Sequence, residues 1–568
     1  NKMKRTLQIL LSGILVCTIQ LGFAQTRYLD EVFTDEEIMT TTVTFGTNID
    51  FMTSDFSDPT TFGPNIFELQ VAAATPGVEI PAAYFDPADE STAVKVTNVD
   101  MDVYEPIQDN DDVTERPVMI YIHTGNFLPP PLNGSPNGRK NDLAAVELCQ
   151  QWAKRGYVAI SVDYRLGWNP IAETVQERTG TLLNAVYRAI HDVKHGVRYL
   201  RRDAAADNTF GIDESKIVLY GQGSGGYVSQ AYTTLDNPSV ELFLEKFRPD
   251  PFDATVSYVD TLTVGNPEGL DGQLTLYQNP DNMTSEVHMS VNAGGALADE
   301  SWLEAGDVPM VAFHAVRDDF APFTEGTVIV PTTNEPVVDV MGSNFFIQKA
   351  NDLGNNDVFA SIPSGDVYTD AARALYGTSH EVSFGETETV NTAEGLYPIV
   401  LPLAAYLSNQ ASPWEWWDPM SPLATTVVGM IGDTPITAHM ASLGSNPDMS
   451  EAKGLSYLDT IQGYLLPRVM CALDLEGAAC STEDSVNEIK ENNSLVVYPN
   501  PASNVVFIEA KENILSVAVY NVAGKLVASL EGKSGNRLEV SMTGYTPGYY
   551  SFQVRTASGI STERVIKK

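Results

Sequence analysis

Cysteine, basic charge and long hydrophobic runs are all scarce in this sequence. Only four cysteines occur in 568 residues, and no CxxC pair is among them. That argues against a cysteine-based zinc site. Lys and Arg total 34 against 74 Asp and Glu, a formal net charge of -40. Nucleic acid is excluded as a partner on this ground, because phosphate binding needs clustered Lys and Arg. Adsorption to anionic membranes is disfavoured for the same reason, and the acidic surplus reads as solubility outside the cell. The one long apolar run, residues 7–21, is broken by Gln8, Ser12, Thr18 and Gln20. It is short for a membrane span, and no other segment could make one.

That run has a different meaning. Lys4 and Arg5 precede it, and Gly22-Phe23-Ala24 follow it before Gln25. A basic start, a short apolar stretch and a small residue at the cut define a secretory signal peptide over 1–25. Asn1 and Lys2, ahead of Met3, read as upstream read-through. Cys17 leaves with the signal. Cys471 and Cys480 lie close together, and in an exported protein they can close a small disulfide loop. Cys149, inside a helical pattern, is expected to be a buried free thiol.

With 43% hydrophobic and 19% charged residues the chain is globular, and its length implies two or three domains. Residues 26–115 lack helical periodicity and read as strands and loops, with a period-two strand at 99–104. Buried strands are expected at 118–122, 157–162, 217–220, 287–291, 308–313 and 357–362. Helices are expected at 142–155 and 182–201. Strands alternating with helices imply an α/β fold with a doubly wound, mostly parallel sheet. Residues 231–286 and 364–450 lack clean periodicity and read as insertions that cap a site. A final helix is expected over 456–475, kinked or split at Pro467. The α/β domain therefore runs over 26–480, and the polar stretch 481–493 is a linker. Short strands at 505–509, 515–522, 538–541 and 549–554 predict a small all-β sandwich over 494–568.

The C-terminal segment carries Val497-Tyr498-Pro499-Asn500-Pro501-Ala502, then Val519-Tyr520-Asn521-Val522-Ala523-Gly524-Lys525, then Gly548-Tyr549-Tyr550-Ser551-Phe552 and a basic end. It resembles the C-terminal sorting domain of the type IX (Por) secretion system of Bacteroidetes. The resemblance implies that this machinery is a partner and that the protein ends at the cell surface or in the medium.

Three segments of the core resemble the carboxylesterase-like α/β-hydrolases over roughly residues 95–475. Tyr121-Ile122-His123-Thr124-Gly125-Asn126-Phe127 follows a buried strand and is similar to the family's His-Gly-Gly-x-Phe oxyanion loop, with Thr124 in place of one glycine. His123 is expected to prop that loop. Tyr220-Gly221-Gln222-Gly223-Ser224-Gly225-Gly226 resembles the nucleophile elbow, Gly-x-Ser-x-Gly-Gly. Aligned on Gly221 and Gly225, the nucleophile position holds Gly223, and Ser224 is displaced by one residue. Either the turn is re-registered to present Ser224, or the nucleophile is absent. The third segment, His314-Ala315-Val316-Arg317-Asp318-Asp319, matches the loop that carries the triad acid, at Asp318. Chain order then requires a later histidine, which leaves His380 as the nearer candidate and His439 as the other.

The resemblance implies hydrolysis of small or polymeric carboxylic esters, without a cofactor. Ser224 would attack, His380 would shuttle the proton, Asp318 would orient it, and backbone N–H groups at Gly125 and Gly225 would hold the oxyanion. The other expectation is a catalytically silent hydrolase fold used for surface binding or adhesion. Asp163-Tyr164-Arg165 matches a segment that buttresses the site by ion pairing. His191 and His195 stand four residues apart on a helix, but the glutamate of His-Glu-x-x-His is absent and no metal is expected. The aromatic run Trp414-Glu415-Trp416-Trp417 reads as cap packing or a stacking cleft.

Overall fold

The computed structural model describes residues 26–329, 336–383, 386–401, 410–480, 495–521, 525–532, 535–556 and 559–568. The signal segment and the linker 481–493 lie outside them. The chain forms two compact units that divide between residues 480 and 481.

In the first unit the described residues build a central sheet from β1 (Ile38–Ile49), β2 (Val96–Pro106), β3 (Arg116–Ile122), β4 (Val158–Val162), β5 (Ile212–Gln222), β6 (Met289–Ala293), β7 (Met310–Ala315) and β8 (Leu396–Ile399). Their spatial order is β1-β2-β4-β3-β5-β6-β7-β8. β1 and β2 are antiparallel to each other, and β2 is antiparallel to β4. From β4 onward every pairing is parallel. The main helices are α1 (Pro59–Ala74), α2 (Leu143–Lys154), α3 (Val175–Ala205), α4 (Ser224–Thr234), α5 (Ser343–Asp352), α6 (Val367–Leu375) and α7 (Glu451–Ala472).

The sequence of β3 shows why two layers of helices form. All seven of its residues are buried, as parallel strands require when both faces are covered. Val118, Ile120 and Ile122 join one core with residues of α3, α4 and α5. Met119 and Tyr121 join the opposite core with α2 and α7. Trp152 of α2 lies fully buried in that second core. Its truncation to alanine would cost about 3–5 kcal/mol.

Two expectations fail here. Residues 357–362 are not a strand; Asp357–Phe359 is a single 3-10 turn, and β8 closes the sheet instead. Residues 26–115 are not all strand and loop, because α1 lies within them. Its sequence hides it: Pro59 starts the helix, Pro64 stands inside it, and its apolar residues form only a weak stripe. Elsewhere Cys471 and Cys480 form a disulfide and Cys149 is a buried free thiol. Pro467 lies inside the uninterrupted helix α7. Among the described residues no helix is long and apolar enough to cross a membrane.

The second unit has a three-stranded sheet (Val496–Tyr498, Val505–Glu509, Arg537–Ser541) and a four-stranded one (Ser516–Asn521, Leu526–Glu531, Gly548–Thr556, Gly559–Lys567) among the described residues. Val506, Ile508 and Val540 of the first share one core with Val517, Val519, Phe552 and Val565 of the second. This is a β-sandwich.

Candidate active site

The strand-to-helix turn between β5 and α4 sits near the middle of the parallel sheet. Gly223 occupies its apex with φ 53° and ψ −116°, a conformation that favours glycine. Its N–H donates to Ala293 O of β6 at 2.8 Å. A Cβ on Gly221 would lie 2.0 Å from Gly225 O, and one on Gly225 would lie 2.0 Å from Ile122 O. Both positions therefore demand glycine, which places the flanks of the elbow pattern at 221 and 225. Residue 223 is then the apex, and the turn is not re-registered.

Ser224 is the first residue of α4 and is buried. Tyr164 donates its hydroxyl to His123 O at 2.9 Å. The tyrosine's only hydrogen is thus used, so Ser224 Oγ, 3.2 Å away, donates to Tyr164 Oη. His123 stacks on Tyr164 at 4.2 Å between ring centroids and gives its Nδ1 hydrogen to Thr124 O at 2.6 Å. Burial lowers its pKa to about 4, so it is a neutral prop for the loop.

Asp318 follows β7. Its Oδ1 accepts N–H bonds from Phe320 at 2.8 Å and Ala321 at 3.0 Å. Burial outweighs these bonds and pushes its carboxyl up to about 7. The nearest imidazole belongs to His314, whose Nε2 is 3.7 Å from Asp318 Oδ2. That ring is already committed: Nε2 donates to Ala321 O at 3.0 Å and Nδ1 bonds Ser343 Oγ at 2.8 Å. Burial lowers it to about 4 and keeps it neutral.

Thr124, Ser224 and Asp318 line one cavity of about 170 Å³ with Gly223 and Ser412. The rest of its wall is mostly apolar and includes Leu182, Val186 and Ile190 of α3 with Leu235, Leu242, Phe247 and Trp302. Gly125 and Gly225 are not on the wall themselves, but their neighbours Thr124, Asn126 and Ser224 are. Gly125 packs against Gly138, where a Cβ would come within 2.8 Å of its Cα.

The structure does not bring the expected base to this wall. His380 lies on a hairpin opposite Glu388, with Nε2 2.7 Å from Thr378 Oγ1. His439 accepts at Nδ1 from Trp417 Nε1 at 3.1 Å. None of the seven histidines of the chain lines the cavity. His191, fully buried, packs edge-on to Tyr187, and the half-buried His195 stacks on Tyr277. Among the described residues no group of side chains could hold a metal ion.

Around the site Arg165 forms the expected ion pair, with Nε 2.9 Å from Asp192 Oδ1 and its N–H on Oδ2 at 2.7 Å. Tyr277 donates to the same carboxylate at 2.7 Å. This fully buried cluster pins the segment carrying Tyr164 to α3. Glu415, from the aromatic run, bonds the elbow residue Gln222, whose Oε1 accepts from Tyr121 at 2.8 Å. Burial, reinforced by Asp142, raises Glu415 to about 7. Trp414 packs fully buried beside Gly294 on the cavity wall. The aromatic run is therefore packing beneath and beside the turn.

Residues 101–329 match the family model BD-FAE, and residues 496–568 match the Secretion system C-terminal sorting domain. These segments are an esterase-like α/β-hydrolase domain and a secretion sorting domain. The BD-FAE match runs from β2 through the Asp318 loop, so it contains the elbow with Thr124, Ser224 and Asp318. The sorting domain marks the chain for export by type IX secretion to the cell surface or beyond. Together the two matches support a secreted esterase-type hydrolase. No curated protein matches the sequence. Solved structures that align with part of the chain include esterase 2 of Thermogutta terrifontis phosphorylated by paraoxon, at 19% identity over 44% of this chain and 74% of that one, with a TM-score of 0.25. The apo form of that esterase aligns at 17% identity over 44% and 75% of the two chains, TM-score 0.24. Its butyrate-bound form aligns at 19% over 44% and 75%, TM-score 0.24.

Thr124 faces Gly223 across the turn, where a Cβ on Gly223 would lie 2.2 Å from Thr124 Oγ1, a pairing the motifs did not reveal. The sequence shows a threonine where the pattern has glycine, and a glycine where it has serine, as separate departures. Their complementary size was the available signal.

Proposed function

We propose that this protein is an exported hydrolase of carboxylic esters that reacts at the polar end of the cavity. The observation that carries this reading is the placement of two hydroxyls, on Thr124 and Ser224, and one buried carboxyl, Asp318, on the wall of a mostly apolar cavity at the elbow. An ester with an apolar acyl or alcohol group buries its hydrocarbon against α3 and Phe247, while its carbonyl lies at the turn. With no histidine on the wall, Asp318 is the group that accepts the proton, and a carboxyl near 7 is suited to that at neutral pH. A second reading, ester binding without turnover, is favoured by the missing side chain at Gly223.

The test is hydrolysis of 4-nitrophenyl acetate, butyrate and octanoate by the full chain, beside Asp318→Ala. Turnover that falls about 100-fold or more in the variant supports the hydrolase. Saturable binding of the esters with no turnover supports the second reading. Equal turnover in both proteins moves the chemistry away from this cavity.

A further inference from the structure

The apex of the elbow carries no side chain, yet the volume in front of it is filled. A Cβ on Gly223 would lie 2.2 Å from Thr124 Oγ1 and 3.0 Å from Thr124 Cβ. A serine at 223 would have to share space with the threonine hydroxyl. The clashes at Gly221 and Gly225 are with backbone, which cannot be substituted away, whereas this one is with a single side chain. The elbow thus has no hydroxyl at 223, and the side chain of Thr124 fills the space that one would need.

We infer that Thr124 Oγ1 is the nucleophile of this site, standing in the space that the side chain of residue 223 would occupy. The inference rests on the ester-hydrolase reading. Thr124 is half-buried and lines the cavity. Its hydroxyl has no hydrogen-bond partner among the described residues, whereas that of Ser224 is bound to Tyr164. The loop backbone is held on both sides of Thr124. His123, locked by its stack on Tyr164, bonds the carbonyl of Thr124, and Gly125 is wedged against Gly138.

The chemistry balances with groups in this cavity. Thr124 Oγ bonds to the ester carbonyl carbon, and its proton passes through one water in the cavity to the Asp318 carboxylate. The C–O bond to the alcohol breaks, and the alcohol leaves with that proton. Water then gives a proton to Asp318 and attacks the acyl-threonine, and the acid departs as the proton returns to Oγ. The raised affinity of Asp318 for protons suits it to both transfers at neutral pH.

The experiment labels the full chain with a fluorophosphonate and maps the adduct by peptide mass spectrometry. It also compares ester turnover in Thr124→Ser, Thr124→Val and Ser224→Ala. Expected are one adduct on Thr124, turnover within about 10-fold of the parent in Thr124→Ser, and a loss of about 100-fold or more in Thr124→Val. An adduct on Ser224, with turnover lost only in Ser224→Ala, overturns the inference and leaves the ester-hydrolase reading standing. Parent-like turnover in Thr124→Val overturns it as well. No turnover by the parent chain overturns both this inference and the hydrolase reading. Should Thr124→Val fail to fold, the adduct position on the parent decides alone.

Discussion

Asp318→Asn should change the pH dependence of stability in a direction set by burial. In the folded chain the carboxyl is raised to about 7 from an ordinary 3.8. The folded state therefore holds a proton that the unfolded chain has already released between those values. By linkage, stability from this group is complete below about 4 and falls as pH rises through about 7. At about 1.4 kcal/mol per pH unit, the interval corresponds to a ceiling of about 4 kcal/mol. Local relaxation and water entry reduce this, so about 2–4 kcal/mol is expected. Asparagine keeps the acceptor oxygen for the N–H groups of Phe320 and Ala321 and never ionises. Because part of the interval already lies below pH 5, the variant should gain on the parent by up to about 3 kcal/mol between pH 5 and pH 9. For a unit of this size 1 kcal/mol moves the melting temperature by only about 1 °C, so circular dichroism should show a gain of about 1–3 °C at pH 9 relative to pH 5. A difference between the two proteins that stays constant from pH 5 to 9 would refute the assignment of a buried, raised carboxyl to Asp318.

Two further outcomes follow from packing and covalent structure. Arg165→Met leaves the buried Asp192 with Tyr277 but without its cation. Urea denaturation should register a loss of about 3–5 kcal/mol, and a loss below about 1 kcal/mol would mean that Asp192 finds another partner. Replacing Cys471 and Cys480 together by serine removes a bridge across nine residues and should lower stability by about 2–3 kcal/mol, with no further effect of reductant on the variant.

The alternation of buried strands and helices from residue 118 onward was legible because parallel strands covered on both faces are continuous apolar runs. The same local logic located the C-terminal strands. Where a segment's role depends on its neighbours, the reading slipped. β8 is four residues long and contains Pro398, so it carries no period of its own; it is a strand because it pairs with β7. The stretch at 357–362 is apolar because it packs in the core with Phe359 and Ile362, and burial alone does not distinguish a turn from a strand.

The sequence by itself determined the two-unit organisation, the sorting domain, the hydrolase motifs and the anomaly at Gly223. Each of these is written in contiguous residues. Tertiary structure alone decided how the site is composed. It set Thr124 opposite Gly223, brought Asp318 to the same cavity, and kept His380 and His439 off its wall. These relations join residues about 100 or more positions apart, and whether two side chains compete for one volume depends on the distance between their backbones, which no local pattern encodes.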